Sequence, residues 1–239
     1  MKNIILFLII GLLLNSCTSE FKPATFDTIS IEETYEAEIS AIYSEATGNS
    51  ELSNTINTNV ENAIIETLNT PENKTNLKEV LKAFNEEYLS FKNKFTEITE
   101  PVWELHIETE LIYQSEDVLT IAISTYEFKG GAHGNDKIKL LNLDAKSGKT
   151  IELNDFINDI DGFTSVAKSQ FISSLDQNKD QLTIENFFFG EPFHLPENIG
   201  FSEEGLVLIY NVYEVASYDL GYTEFMIPYN EAEPYLKIN

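Results

Sequence analysis

Arginine is absent and cysteine occurs once, at Cys17. A lone thiol cannot close an intramolecular disulfide, so burial and hydrogen bonding must hold the fold. The 15 basic residues, all lysine, face 40 Asp plus Glu, for a formal net charge of −25. Such a surface repels nucleic acid and anionic lipid, and it attracts cationic partners over a distance that salt shortens. The glycines around His133 match no G-x-G-x-x-G or G-K-[ST] phosphate loop, and the sequence has no G-x-S-x-G elbow, no internal repeat and no low-complexity tract. Dinucleotide, P-loop and serine-hydrolase chemistries are thereby set aside. Sixteen Phe and eleven Tyr supply a sizeable core and argue against disorder.

The beginning of the chain reads as a processing segment. Lys2 precedes an apolar run from Ile4 to Leu14, which ends in Leu14-Asn15-Ser16-Cys17. This is the pattern of a lipoprotein signal, in which the cysteine thiol is acylated and becomes the new N-terminus. The expected organisation is a signal peptide over 1–16, a lipid-anchored tether over 17–27 and one extracytoplasmic unit over 28–239, with two subregions dividing near 100 left open. Acylated Cys17 would hold the chain to a bilayer as a monomer. Thr18 and Ser19 lack a retention aspartate, which favours the outer membrane over the inner.

Hydrophobic periodicity then predicts an α+β fold, an antiparallel β-sheet with a helical hairpin and an additional helix packed on it. Gly205 to Tyr229 is the densest apolar stretch after the signal, and it reads as two core strands around a turn at Asp219-Leu220-Gly221. Upstream, Ile29 to Tyr43 alternates as one long strand. Leu52, Ile56, Val60, Ile64 and Leu68 recur every fourth residue as one helix, and Leu77 to Ile98 carries the aromatic stripe of a second. That stripe is core spacing rather than a ligand groove. Trp103–Tyr113 and Val118–Phe128 form a hairpin, with Trp103, Leu105, Ile107, Thr109, Leu111 and Tyr113 on one core face. Ile138–Leu143 and Thr150–Leu153 form another. A helix follows with Phe163, Ala167, Phe171 and Leu175 inward, then a short extended run over Leu182 to Phe189.

Candidate chemistry is sparse. His106 shares a strand face with Glu104 and Glu108, a set that could attract a divalent ion but is equally a solvated sheet face. Asp176, Asn178 and Asp180 imitate the first ligands of a calcium loop, yet Gln181 stands where glycine is needed and Phe187 where the bidentate Glu belongs. No cofactor is expected beyond that open question of a divalent cation. Gly130-Gly131-Ala132-His133-Gly134 breaks the sheet pattern, with glycines suited to positive φ and an imidazole placed to bond a neighbouring backbone group.

Three blocks then carry a likeness. Tyr126-x-Phe-x-Gly-Gly-Ala-His-Gly-Asn135, Asn142-x-Asp144-x-x-Ser-Gly-Lys149 entering Leu153-x-Asp-Phe156, and Tyr213-Glu-Val-Ala-x-Tyr218-x-x-Gly221 leading to Ile227-Pro-Tyr229 keep one order along the chain. In this the chain resembles the extracytoplasmic domain shared by RsiV-type anti-sigma factors and the non-catalytic module of PdaC-type peptidoglycan deacetylases. The resemblance implies helices on an antiparallel sheet outside the cytoplasmic membrane, and binding more readily than catalysis, since the RsiV domain is a receptor for lysozyme. Gly131, Ala132, His133 and Gly134 match that family's glycine loop, while Tyr213, Glu214, Tyr218 and Gly221 match its late aromatic connection. Ser217 stands where the family commonly has proline, and anchoring through Cys17 departs from its transmembrane helix, which puts anti-sigma activity in doubt. Three expectations stand open: a non-catalytic envelope lipoprotein binding peptidoglycan fragments or a cationic protein such as lysozyme; a metal-dependent or hydrolytic envelope enzyme using His133 with His106 or His194; and a structural lipoprotein without a discrete ligand.

Overall fold

A computed structural model describes residues 21–31, 33–48, 50–68, 76–96, 101–177 and 182–237. The signal, Cys17, Asn178 and Asp180 lie outside the described residues, as does the side chain of Asp176. No helix among the described residues is long and apolar enough to cross a membrane. From Phe21 onward the expected tether already belongs to the fold, because Phe21, Ala24 and Phe26 pack against the first core.

The first half is a five-stranded sheet in the order β1-β2-β3-β4-β5, formed by Phe26–Ile31, Glu38–Ala46, Glu104–Gln114, Val118–Phe128 and Asn135–Asp144. The single strand expected over Ile29–Tyr43 is two, β1 folding back antiparallel on β2. Between them, Asn85 accepts hydrogen bonds from the N–H groups of Glu36 and Ala37 and holds the reversal. The sheet is antiparallel, as expected, at every pair but one, where β2 runs parallel to β3. The reason lies in the connection: helices α1 (Glu51–Thr67) and α2 (Leu77–Lys94) intervene, and a helical crossover returns the chain in the same direction. Ser50 caps α1 through the Ser53 N–H, and Asn76 caps α2 through that of Glu79.

Both helices cover one face of this sheet. Ile56, Val60 and Ile64 from α1 and Val80, Leu81 and Phe84 from α2 meet Leu105, Ile107, Ile121 and Ile123. Phe84, Tyr88 and Phe91 surround Trp103 with ring centroids 5.9, 5.7 and 5.3 Å away, so the aromatic stripe is core.

The second half holds α3 (Leu153–Phe156), α4 (Ile160–Gln177), a three-stranded antiparallel sheet in the order β6-β7-β8 and α5 (Tyr229–Ala232). Its strands are Asn198–Phe201, Gly205–Tyr210 and Thr223–Pro228, so the stretch from Gly205 to Tyr229 does supply the central strand and its neighbour. Phe171 of α4 is the hub of this second core, with Phe187, Phe188 and Phe225 at 5.2, 5.4 and 5.5 Å. The change from one core to the other falls after β5 rather than near residue 100. Two local expectations are corrected. Thr150 makes only one bridge, to Leu143, because Leu153 already opens α3. The run to Phe189 is coiled into two short 3₁₀ turns, with Phe188 and Phe189 at φ 63° and 51°.

A polar seam joins the halves along the free edge of β5. Asn211 accepts from Ile138 N–H at 2.8 Å and donates to Ile138 C=O at 2.9 Å, and so occupies the place of a strand residue. Asn198 accepts from Leu140 N–H at 3.0 Å. Asn142 donates to Ile199 C=O at 2.7 Å and accepts from the Thr120 hydroxyl at 2.8 Å, while that hydroxyl accepts from Phe201 N–H at 3.1 Å. Thr120 is 0% and Asn142 5% exposed, so their polar groups depend on these protein partners. Removing the amide in Asn142→Ala leaves the Ile199 carbonyl unpaired and deprives Thr120 of its acceptor, at about 1–3 kcal/mol for each such group. Urea unfolding should show a loss of about 3 kcal/mol; a change within about 0.5 kcal/mol, the size usual for surface substitutions, would mean that the seam contributes little.

Candidate functional site on the open face of the sheet

Side chains alternate across a strand, so the residues facing the helices leave an opposite set on the other face. The second half covers that face only at one end, over Thr120 and Asn142. At the other end Ser40, Ile42, His106, Glu108, Ser124 and Tyr126 line a cavity of about 290 Å³. Asp136 and Ile138 of β5 and Tyr222 of the β7–β8 connection close its side.

The glycine loop stands at this rim. Gly130 and Gly131 adopt φ 87° and 101°, the positive values expected of them. Gly134 is constrained differently: a Cβ there would lie 2.3 Å from the Tyr126 ring, so only glycine lets the loop rest on that aromatic face. The Gly134 carbonyl accepts from His133 Nδ1 at 2.9 Å and from the Tyr218 hydroxyl at 3.3 Å. A carbonyl only accepts, so Nδ1 carries the proton. The His133 ring in turn stacks on Tyr218, with centroids 3.7 Å apart and planes 23° apart. Two blocks some eighty residues apart in sequence therefore form one surface.

Tyr213 extends that surface. Its ring lies 5.7 Å from Tyr218, is 54% exposed, and sits on a residue held at φ 67°. A non-glycine residue in the left-handed region is strained, and such strain persists only where the surroundings impose it. Glu214 imposes it here. Its carboxylate accepts from Asn211 N–H at 2.7 Å and Glu197 N–H at 3.1 Å, while Glu214 N–H donates to Asn211 C=O. Glu214 is thus a positioning residue rather than a ligand-facing one. Gly221, at φ 67°, ends the connection before the exposed Tyr222.

His106 stacks on Tyr126 at 5.9 Å and its Nε2 lies 3.5 Å from Glu104. Burial, reinforced by the Glu104 and Asp136 carboxylates, pushes the Tyr126 phenol above its ordinary value. Glu104, His106 and Glu108, weighed as ligands for a divalent ion, share this face, with Glu108 lining the same cavity as His106. Among the described residues, however, no group of three or more His, Cys, Asp or Glu could hold a metal ion. The histidines have separate companions: His194 packs edge-on against Phe188 and Tyr210, and its Nδ1 meets Pro192 C=O at 3.4 Å. Tyr126 and Asp136, Tyr222 and Asn211 are site residues that periodicity did not single out. The even-numbered register of β3 to β5 is the signal that could have found the first two.

A wider cleft of about 610 Å³ runs beside the seam between α1, β5 and β6. Its asparagines at 142, 198 and 211 are already engaged in joining the halves.

Burial is the largest influence on Glu214 and raises its carboxyl above the ordinary 4.5, against the lowering effect of its two backbone bonds. The folded protein therefore binds this proton more tightly than the unfolded chain does. The resulting contribution is fully present below pH 4.5 and is lost as pH rises through the folded value. Glu214→Gln should flatten that part of the melting-temperature profile above pH 4.5; an unchanged slope would assign the pH dependence to other groups.

Comparison with known proteins follows the same division of the chain. The family model described as "Deacetylase PdaC" matches residues 30–136, and that described as "Protein of unknown function (DUF3298)" matches residues 152–230. A solved DUF3298 family member from Bacteroides fragilis is 21% identical, covering 89% of this chain and 93% of that one with a TM-score of 0.70. A DUF3298 family protein from Pseudomonas aeruginosa is 18% identical, covering 90% and 95% with a TM-score of 0.64. At these identities the likeness establishes the fold. A comparison with curated proteins finds no match. The chain is thus similar to the PdaC family over most of its five-stranded half and to the DUF3298 family, whose function is unknown, over most of its second half.

Proposed function

We propose that this chain is a non-catalytic binding lipoprotein of the cell envelope, held by acylated Cys17 and recognising a cationic protein, of which lysozyme is the first to test. The observation that carries the proposal is the stacking of His133 on Tyr218, which merges the glycine loop and the aromatic connection into one exposed platform. Tyr213 and Tyr222 stand out from it at 54% and 51% exposure. Glu104, Glu108 and Asp136 lie along the same face, so π-surfaces and carboxylates are presented together. That combination suits ammonium and guanidinium groups. A net charge of −25 adds a long-range attraction for a basic partner.

Geometry favours binding over catalysis. Each imidazole is engaged with a backbone carbonyl or with Glu104, and none bonds a serine or threonine hydroxyl among the described residues. The positive φ of Tyr213 presents a ring to solvent without bringing it to any acid–base pair.

Calorimetric titration of the soluble chain from Glu20 onward with c-type lysozyme and with solubilised peptidoglycan fragments, at two salt concentrations, separates the possibilities. Saturable lysozyme binding should weaken as salt rises. Tyr218→Ala should lower the affinity by about tenfold or more, as loss of a central aromatic contact does. Salt-insensitive binding removes the electrostatic part of the proposal. Binding of wall fragments alone moves the partner to a glycan, and hydrolysis of those fragments replaces binding with enzymology.

A further inference from the structure

A second site lies at the opposite end of the same sheet face, where the strand register breaks. Leu111 pairs with Ile121, but Tyr113 pairs with Thr120, so Ile112 is an extra residue. In an unbroken strand Tyr113 would share the helix-facing side with Leu111, as the alternation from Trp103 onward predicts. The bulge moves it to the other side, which corrects that expectation. There its ring stacks on Phe201 with centroids 6.0 Å and planes 20° apart.

The redirected ring forms one wall of a cavity of about 420 Å³. Val118, Phe201 and Leu236 complete an apolar lining drawn from both halves of the molecule. Small-molecule sites are concave, mostly apolar and provided with a few convergent polar groups. Ser115, Tyr229 and Glu233 are those groups here. The Tyr229 hydroxyl is committed to Ser202 C=O at 2.8 Å, and the Ser115 hydroxyl accepts from Val118 N–H at 3.1 Å within its own turn. Glu233, on the last turn before the C-terminus, is the one charged residue in the lining among the described residues, and no lysine accompanies it.

We propose that this cavity binds a small amphiphile with an apolar body, a ring or a short chain, ending in an amine. The apolar part lies against the wall formed by Tyr113, Phe201 and Val118. Its ammonium end faces the Glu233 carboxylate, and an anionic head is disfavoured because no lysine among the described residues lines the mouth. The site is separate from the aromatic platform and does not depend on the function proposed for it.

The test uses the full chain and N-phenyl-1-naphthylamine, a neutral dye that brightens in apolar surroundings. The dye should saturate with one site, and octylamine should displace it at concentrations at least tenfold below those needed for octanoate. Leu236→Trp, which fills the mouth, should abolish dye binding. Glu233→Gln should retain the dye while removing the preference for octylamine over octanol. A Leu236→Trp variant that folds and binds as before, or equal displacement by octanoate, overturns the proposal. Should that variant fail to fold, methyl spectra of the unaltered protein decide: the Val118 and Leu236 signals must shift on adding octylamine, and their constancy overturns it.

Discussion

The free edge of β5 is the constraint on which the rest of the molecule depends. An edge strand presents backbone donors and acceptors that must be paired, covered or left to water. Here they are paired by asparagine side chains from the second half, Asn211 matching both polar groups of Ile138 and Asn198 matching the N–H of Leu140. At Ile138 and Leu140 side-chain amides complete the edge without continuing the ladder. The second sheet can therefore approach at an angle of its own, and Thr120 and Asn142 lock it against the rear face of β4 and β5.

The exposed platform follows from that seam. Asn211 is pinned to β5, Glu214 is pinned to Asn211, and Tyr213 between them is forced into the left-handed region. On the other side Gly134 rests on Tyr126 and offers its carbonyl to both His133 and Tyr218. The aromatic surface is thus held from two directions by groups that a ligand need not touch. Such support keeps exposed rings from turning inward, and pre-organised rings lose little freedom when a partner arrives.

Much of this was legible in the residues. Helices α1, α2 and α4 show their periods plainly, and the hairpin of β3 and β4 and the buried stretch beginning at Gly205 follow from alternation. The parallel pairing of β2 with β3 was not legible, because periodicity gives the face of a strand and not its neighbour. The bulge at Ile112 was hidden for a related reason: Tyr113 continues the alternation perfectly, and only the partner strand reveals the slip. The glycine loop and the aromatic connection were visible as separate oddities. Their meeting depends on Asn211 finding Ile138 across 73 residues, a contact that leaves no local trace in composition or period. The coiling of Leu182 to Phe189 was misread because an apolar run has the same composition whether extended or turned; the turned backbone buries Phe188 against Phe171 and leaves Phe189 exposed.

Both candidate surfaces draw on both halves of the chain. The platform takes His106, Tyr126 and His133 from the first half and Tyr213, Tyr218 and Tyr222 from the second; the cavity takes Tyr113 and Val118 from the first and Phe201, Tyr229 and Leu236 from the second. A ligand at either place touches elements on opposite sides of the seam, so it binds the assembled protein better than its separated halves. By mass action it must then stabilise the seam to the extent of its own preference for the assembled state. The converse also holds: weakening Asn142 or Thr120 leaves every ligand-facing side chain chemically intact, yet it reduces the fraction of molecules in which those side chains are brought together.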